Sequence, residues 1–258
     1  MRKIILQIRT LQQNELKLLF FYSNQEGWEN EELHTTALFL AHPNDFFIAY
    51  KEGKLLGFIL AIKHSQEFGF ISSFIVLKEF RGLGYGQKLF THALQHLKGC
   101  QIALDSVVNK QKLYKKFGFV PYFDVIVYRF IIGSVTLPSS EIQTIDFDKK
   151  LSLKNQNPYM INMLLNENIE YKAVKKEDEI SSFALSFQYK DGYKIHIESL
   201  DINEAITLFF ALSDKYKKGT ALYLQASKQS SMLLAMAKLL NMREYNKFVR
   251  MYNKIVDK

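Results

Sequence analysis

The sequence holds one cysteine, Cys100, so it can form no internal disulfide. A lone thiol gives no reason to expect an oxidising compartment, and it is too few for a thiolate metal site. Proline is scarce as well, 4 in 258 residues, and there are only 12 glycines, which excludes a breaker-rich disordered or fibrous chain. Long apolar runs are missing. Arg129 interrupts the longest candidate, Val125–Val135, well short of the roughly 20 residues a spanning helix needs. The opening MRKIILQIRT starts basic, but Gln7 and Arg9 break its apolar run before a signal-peptide core can form. The expectation is a cytoplasmic protein without a membrane partner.

What the chain does have is core material, 48% hydrophobic and 14% aromatic residues, enough for one large domain or two of ordinary size. Its 34 Lys and Arg against 26 Asp and Glu give +8, which favours anionic partners without choosing among them. No basic-aromatic motif accompanies the charge, so no nucleic-acid partner is expected.

Periodicity sets out the first half. Lys3–Arg9 alternates as a strand, Asn14–Ser23 recurs as a helix, and a second helical stretch follows Trp28 and ends near Pro43. Strands are expected at Phe46–Tyr50, Leu55–Ile62 and Gly69–Leu77, the first two joined by a turn at Gly53. A helix with apolar Leu89, Phe90, Ala93, Leu94 and Leu97 follows, then a strand at Gln101–Val107, a helix at Lys110–Phe117 stopped by Gly118, and a strand at Asp124–Ile132. Residues 133–150 lose the periodic pattern.

The second half echoes the first. Gly69–Leu77 and Gly192–Leu200 are equal-length strand patterns 123 residues apart, and Gly99–Leu104 repeats as Gly219–Leu224 at 120. Gly118 maps at 123 onto Asn241, the residue best able to replace glycine at a left-handed helix terminus, and Tyr122 maps onto Tyr245. These offsets point to a duplicated fold.

Chemistry concentrates where the third strand runs into Arg81-Gly82-Leu83-Gly84-Tyr85-Gly86 and then a helix. A glycine turn opening a helix presents free N–H groups and a positive dipole end to phosphate. The P-loop pattern fails here, because the turn ends Gly86-Gln87-Lys88-Leu89. The dinucleotide pattern fails too, because its third glycine would fall on Gln87. What remains is Arg/Gln-x-x-Gly-x-Gly/Ala, met by Arg81, Gly84 and Gly86. Leu113-Tyr114-Lys115-Lys116-Phe117-Gly118-Phe119 supplies a Tyr-x-x-x-Gly-Phe element after the next strand. On these two motifs and their order, residues 3–130 resemble the GNAT superfamily of acetyl-CoA-dependent N-acetyltransferases.

The early Glu26-Gly27-Trp28 and the degenerate second copy look like the two-domain bacterial GNAT proteins. The resemblance implies an α/β (α+β) class of tandem GNAT folds, each a mixed, mostly antiparallel twisted sheet flanked by helices. The expected domains are 1–133 as the acetyl-CoA-binding catalytic domain, 134–147 as linker, and 148–258 as a degenerate GNAT-like domain that helps form the substrate cleft. Its turn after Leu200, Asp201-Ile202-Asn203-Glu204-Ala205, lacks glycine and carries two acids, so the second copy is not expected to bind the coenzyme.

The resemblance also implies roles. Backbone groups of Ile75, Val76 and Leu77 would hold the pantetheine arm and supply an oxyanion donor; Arg81 would open the loop, and the amides of Gly82, Leu83, Gly84, Tyr85 and Gly86 would cradle the pyrophosphate. Asn109 is a weaker coenzyme contact, because the family's asparagine position is here Val107. Tyr114, with a reference pKa near 10, suits the general acid that protonates the leaving thiolate. Acetyl-CoA is the expected co-substrate, and the acceptor is a small-molecule or peptide amine. Where some relatives carry a carboxylate base this chain has Ser72 and Ser73, which leaves Asp105, Glu26 and Glu29 as available acids. A non-catalytic acetyl-CoA or metabolite-binding module stays open on the same ground. His92 and His96 lie four apart on one helix without an acidic or thiol neighbour in sequence, so no metal is expected. Tyr193, His196 and Glu198 are conceivable acceptor liners with residues 24–45. The assembly is expected to be a monomer or homodimer.

Overall fold

Strand-period and helix-period segments settle into the elements their patterns suggest, with residues 6–28, 31–133, 144–145, 157–176 and 179–253 described in a computed structural model. The contacts divide the chain into two units, residues 1–122 with 249–258, and residues 123–248.

Unit 1 begins with β1 (Leu6–Thr10), a 3-10 turn, α1 (Leu16–Gln25) and α2 (Glu32–Ala41). Then come β2 (Phe46–Lys51), β3 (Lys54–Lys63), β4 (Phe68–Val76), α3 (Tyr85–His96), β5 (Gln101–Val107) and α4 (Gln111–Lys115). Strands β1 to β4 are antiparallel neighbours, and β5 is parallel to β4. One sheet face is sealed by Leu89, Phe90 and Ala93 of α3 and by Leu97 at its C-cap, against Ile71, Ile102 and Leu104. The other face is sealed by Leu16 and Leu19 of α1 against Phe58, Leu60 and Ile75.

Unit 2 contains most of β6 (Val120–Ile131), β7 (Thr144–Ile145), α5 (Pro158–Leu164), β8 (Glu170–Lys176), β9 (Glu179–Tyr189) and β10 (Gly192–Glu198). It continues through α6 (Ile202–Ser213), β11 (Ala221–Ser227), α7 (Ser231–Leu239) and the first part of β12 (Arg243–Tyr252). Its core joins Leu208, Phe209 and Leu212 of α6 to Ile195, Leu222 and Leu224.

The repeat is structural. Gly192 to Ile195 pair in parallel with Ala221 to Leu224, as Phe68 to Ile71 pair with Gln101 to Leu104. Asn241 follows α7 at φ 49°, matching Gly118 after α4 at φ 83°.

The unit boundaries differ from the sequence expectation of 1–133 and 148–258, because each half of the chain gives its last strand to the other unit. Val125–Ile131 of β6 pair with β11, which places them in unit 2. Val249 and Met251 of β12 enter the α3-side core of unit 1, where Asn253 exchanges hydrogen bonds with Ile102. Apolar alternation marks a strand but carries no label for its partner. The expected linker 134–147 lies outside the described residues except for Thr144 and Ile145, which form β7. No helix among the described residues is long and apolar enough to cross a membrane.

Candidate functional site

Two irregularities of β4 create an opening in unit 1. Parallel pairing with β5 stops at Ile71 with Leu104, although both strands continue. Just beyond, the register against β3 slips by one residue, between Phe58 opposite Ile75 and Leu60 opposite Ser72. The extra residue is absorbed by Ser73 at φ 45°, a β-bulge. The bulge reverses side-chain alternation. Ile71 packs on the α3 side, yet past the bulge Phe74 and Val76 take that side while Ile75 and Leu77 join the α1 side.

Beyond the bulge, β4 is paired on one edge only. The Leu77 N–H donates to Leu56 O of β3 at 2.9 Å. Strand alternation therefore turns the N–H and carbonyl of Val76 to the β5 side. Of the three expected pantetheine contacts, Val76 is thus the one whose main chain faces the opening.

The glycine turn lies at the end of this strand. Gly82 and Gly84 take φ of 75° and 81°, and a Cβ on either would meet nothing within 4 Å, so conformation, with open space above it, is what these positions require. Gly84 is the N-cap of α3, followed by Tyr85 and Gly86 in its first turn. A Cβ on Gly86 would touch Phe74 and Val76 at 3.4 Å, which fixes how closely the helix start seats on β4. Leu83 is exposed, and Tyr85 lies edge-on to Phe80 with Lys51 and Lys88 at 5.1 and 5.9 Å from its ring centre. These two lysines were not singled out by the sequence, because nothing in the motif spacing marks Lys51. The turn suits a phosphate-bearing ligand, with unobstructed backbone amides, a helix N-terminus and flanking cations.

Arg81 turns back from the loop. Its Nε donates to Val76 O at 2.7 Å and its Nη2 to Glu26 Oε1 at 2.5 Å, so it ties the loop both to β4 and to the residue that caps α1. Glu26, an available acid by sequence, is committed to that ion pair. Glu29 lies outside the described residues. Asp105 is also committed, bound through both oxygens by Arg250, 145 residues later in the chain.

Tyr114 sits on α4 with its ring against Phe90 and is partly buried beside the α3-side core. Burial pushes its phenol above the ordinary tyrosine value. Asn109 is exposed in the 3-10 turn Val108–Lys110 that precedes α4.

Of His92 and His96, His96 meets an acidic partner that sequence proximity did not show. Asp45, 8% exposed, meets His96 Nε2 at 2.7 Å and His42 Nδ1 at 3.4 Å and accepts from the Lys63 N–H at 2.9 Å. Among the described residues no group of three or more acidic, histidine or cysteine side chains could hold a metal ion.

In unit 2 the start of the corresponding helix is taken up by one of the chain's own acids, and a second is buried beneath it. Asp201 caps α6, accepting from the N–H groups of Asn203 and Glu204 at 2.7 and 3.2 Å. Glu204 is 3% exposed and receives Ser182 and Ser181 at 2.5 and 2.9 Å, with Lys176 at 2.5 Å. Of the conceivable liners, Tyr193 is stacked on Tyr216 at 3.8 Å and His196 pairs with Glu198 at 3.0 Å.

Comparison with known proteins agrees with this geometry. Residues 8–119 match the acetyltransferase (GNAT) family. An N-alpha-acetyltransferase, MAK3 of Arabidopsis thaliana, is 30% identical over 118 residues, 42% of this chain and 62% of that protein. The holothin acyltransferase of Pseudoalteromonas sp. (strain SANK 73390) is 24% identical over 99 residues, 38% of this chain and 34% of that protein. The match thus spans less than two thirds of either curated relative. A candidate acetyltransferase from Pyrococcus horikoshii superposes with a TM-score of 0.75 at 12% identity, covering 100% of this chain and 92% of its own. A tandem GNAT protein from the clavulanic acid biosynthesis pathway gives 0.68 at 10% identity, covering 98% and 100%. At these identities the superpositions establish the fold, two GNAT units in tandem.

Proposed function

With residues 8–119 belonging to the GNAT acetyltransferase family, we propose that unit 1 binds acetyl-CoA and transfers its acetyl group to a primary amine of a small molecule or peptide. The observation that carries this is the opening between β4 and β5 past Ile71 and Leu104, with the glycine turn at one end and Tyr114 packed on Phe90 of the helix which that turn opens. A flexible thioester arm needs an unpaired strand edge, and its pyrophosphate needs unobstructed amides; unit 1 has both. The coenzyme supplies an activated acyl thioester.

The chain's own residues do the rest. Amides at Gly82 to Gly86 and the N-terminal dipole of α3 hold the phosphates. Val76 directs its N–H into the opening, where it stabilises negative charge developing on the acyl oxygen. As the nitrogen–carbon bond forms and the carbon–sulfur bond breaks, Tyr114 gives its proton to the departing sulfur, and the amine's surplus proton leaves to water. The Tyr114 phenol is protonated at neutral pH, as an acid must be, and burial pushes its pKa further up. Unit 2, where Asp201 takes up the N–H groups at the start of the corresponding helix, keeps the fold without this role.

The two curated relatives act on different acceptors by name, so the acceptor is sought directly. Release of coenzyme A is measured with the full chain across amino acids, polyamines, aminoglycosides and peptide N-termini. Turnover with at least one class is expected. Tight acetyl-CoA binding with no release across the panel would instead make unit 1 a non-catalytic binding module.

A further inference from the structure

On the sheet face that α3 does not cover, the strand lining the opening presents a carboxylate held in one orientation. Asp105 is the first β5 residue past the last paired rung, Ile71 with Leu104. Ile102 and Leu104 of β5, and Val249 and Met251 of β12, are packed in the α3-side core. By alternation Asp105 and Arg250 share the opposite face, the one on which α1 packs.

There the Arg250 fork grips the carboxylate, Nε to Oδ1 at 2.5 Å and Nη2 to Oδ2 at 3.0 Å, while its guanidinium lies 5.0 Å from the centre of the Phe70 ring. Phe70 is paired with Ala103, two residues before Asp105. The arginine is therefore anchored over the closed part of the β4–β5 seam and holds the carboxylate from behind, at the start of the open part. Both side chains keep about a fifth of their surface accessible, 18% for Arg250 and 21% for Asp105. A pair that served only to clamp strands together would gain nothing from that exposure, and a matched apolar pair would clamp as well.

We propose that Asp105 is the anchor for the ammonium group of the acceptor, and that Arg250 is its positioning residue. The inference rests on the acetyl-transfer reading and names the charge its acceptor must carry on arrival. An amine at neutral pH enters as an ammonium with three donors, and a carboxylate already fixed by two hydrogen bonds still has lone pairs to receive one of them. Asp105 orients the nitrogen without taking a proton: one ammonium proton goes to water before attack, the second leaves to water as the nitrogen–carbon bond forms, and Tyr114, having protonated the sulfur, is reprotonated from water. The last strand of the chain thereby completes the acceptor side of a site whose coenzyme side lies more than 100 residues earlier.

The test uses two coenzyme derivatives and needs no knowledge of the acceptor. S-(2-aminoethyl)-coenzyme A extends an ammonium past the sulfur toward the acceptor side, and S-propyl-coenzyme A is its neutral match. Calorimetry on the full chain is expected to show the ammonium derivative binding about tenfold more tightly, the effect of one charge-assisted hydrogen bond. Asp105→Asn should close the gap between the two ligands, with S-propyl binding as the control for folding. Arg250→Lys, which keeps the charge but loses the fork, should shrink the gap severalfold, whereas a purely structural arginine would lower thermal stability and leave the gap intact. Equal affinities in the wild type, or a gap that survives Asp105→Asn, would overturn the anchor. If neither derivative binds the wild type, the coenzyme reading fails and the inference with it.

Discussion

The ring of Tyr114 lies 5.7 Å, centre to centre, from that of Phe90, the α3 side chain that also packs on Phe117 and Phe119. The aromatic cluster removes water from around the phenol and raises its pKa by desolvation. Tyr114→Phe keeps the ring and the packing and removes only the proton. Steady-state rates are expected to fall about 100-fold, the usual scale for losing a general acid, with acetyl-CoA affinity unchanged. Because the phenol is raised, the wild-type rate should not decline through loss of this proton until the pH passes the ordinary tyrosine range near 10. An unchanged rate in the variant would remove the assignment.

Gly84 is a second point of leverage, because it joins turn to helix at φ 81°. Gly84→Ala meets no steric obstacle, yet a left-handed alanine costs about 1 kcal/mol. A lower melting temperature and severalfold weaker acetyl-CoA binding are expected in the full chain. Gly86→Ala, with its new methyl at 3.4 Å from Phe74 and Val76, should affect binding through contact and not through backbone strain.

Acid stability should depend on Glu15. Arg9 binds it through both oxygens at 2.7 Å and Tyr50 adds a bond at 3.1 Å, joining β1, β2 and the turn before α1. The Arg9 hydrogen bonds bring its pKa down to about 2. A lowered carboxyl stabilises the fold above its unfolded value and loses that contribution as pH falls from about 4.5 toward 2. After allowance for a partner that is 35% exposed, the contribution is about 1–2 kcal/mol. Chemical denaturation of Glu15→Gln should show that loss at pH 7 and a smaller further loss between pH 4.5 and 2 than the wild type.

Unit 2 offers the opposite experiment. Burial works to raise the Glu204 carboxyl, but hydrogen bonds from Lys176, Ser182 and Ser181 outweigh it and hold the pKa below the usual value. Glu204→Ala removes an acceptor from two serines, which keep Val174 O and Ser199 Oγ as their second partners, and a loss of about 1–2 kcal/mol is expected in denaturant unfolding. Acetyl-CoA affinity should not change. A loss of binding would mean that unit 2 takes part in holding the coenzyme.

Much of this was readable in the sequence where local chemistry decides the outcome. Gly118 and Asn241 at equivalent positions both adopt the left-handed conformation, and the glycines at 82 and 84 sit in the turn that their spacing implied. What escaped is non-local. The bulge at Ser73 reverses which side chains face α3, and nothing in Ser72-Ser73 announces it. The carboxylate partner of His96 lies 51 residues away at Asp45, and that of Arg250 lies 145 residues away. Neither separation leaves a periodic trace. The segment Asp124–Ile132 was recognisable as a strand, but its sheet partner was not, since alternation is the same whichever edge a strand joins.

The central claim is that a duplicated fold carries one working coenzyme site. Titration of acetyl-CoA into the full-length protein by calorimetry tests it directly. One equivalent per chain is expected, and Gly84→Ala should weaken that single event. Two equivalents, or no binding at all, would contradict the account.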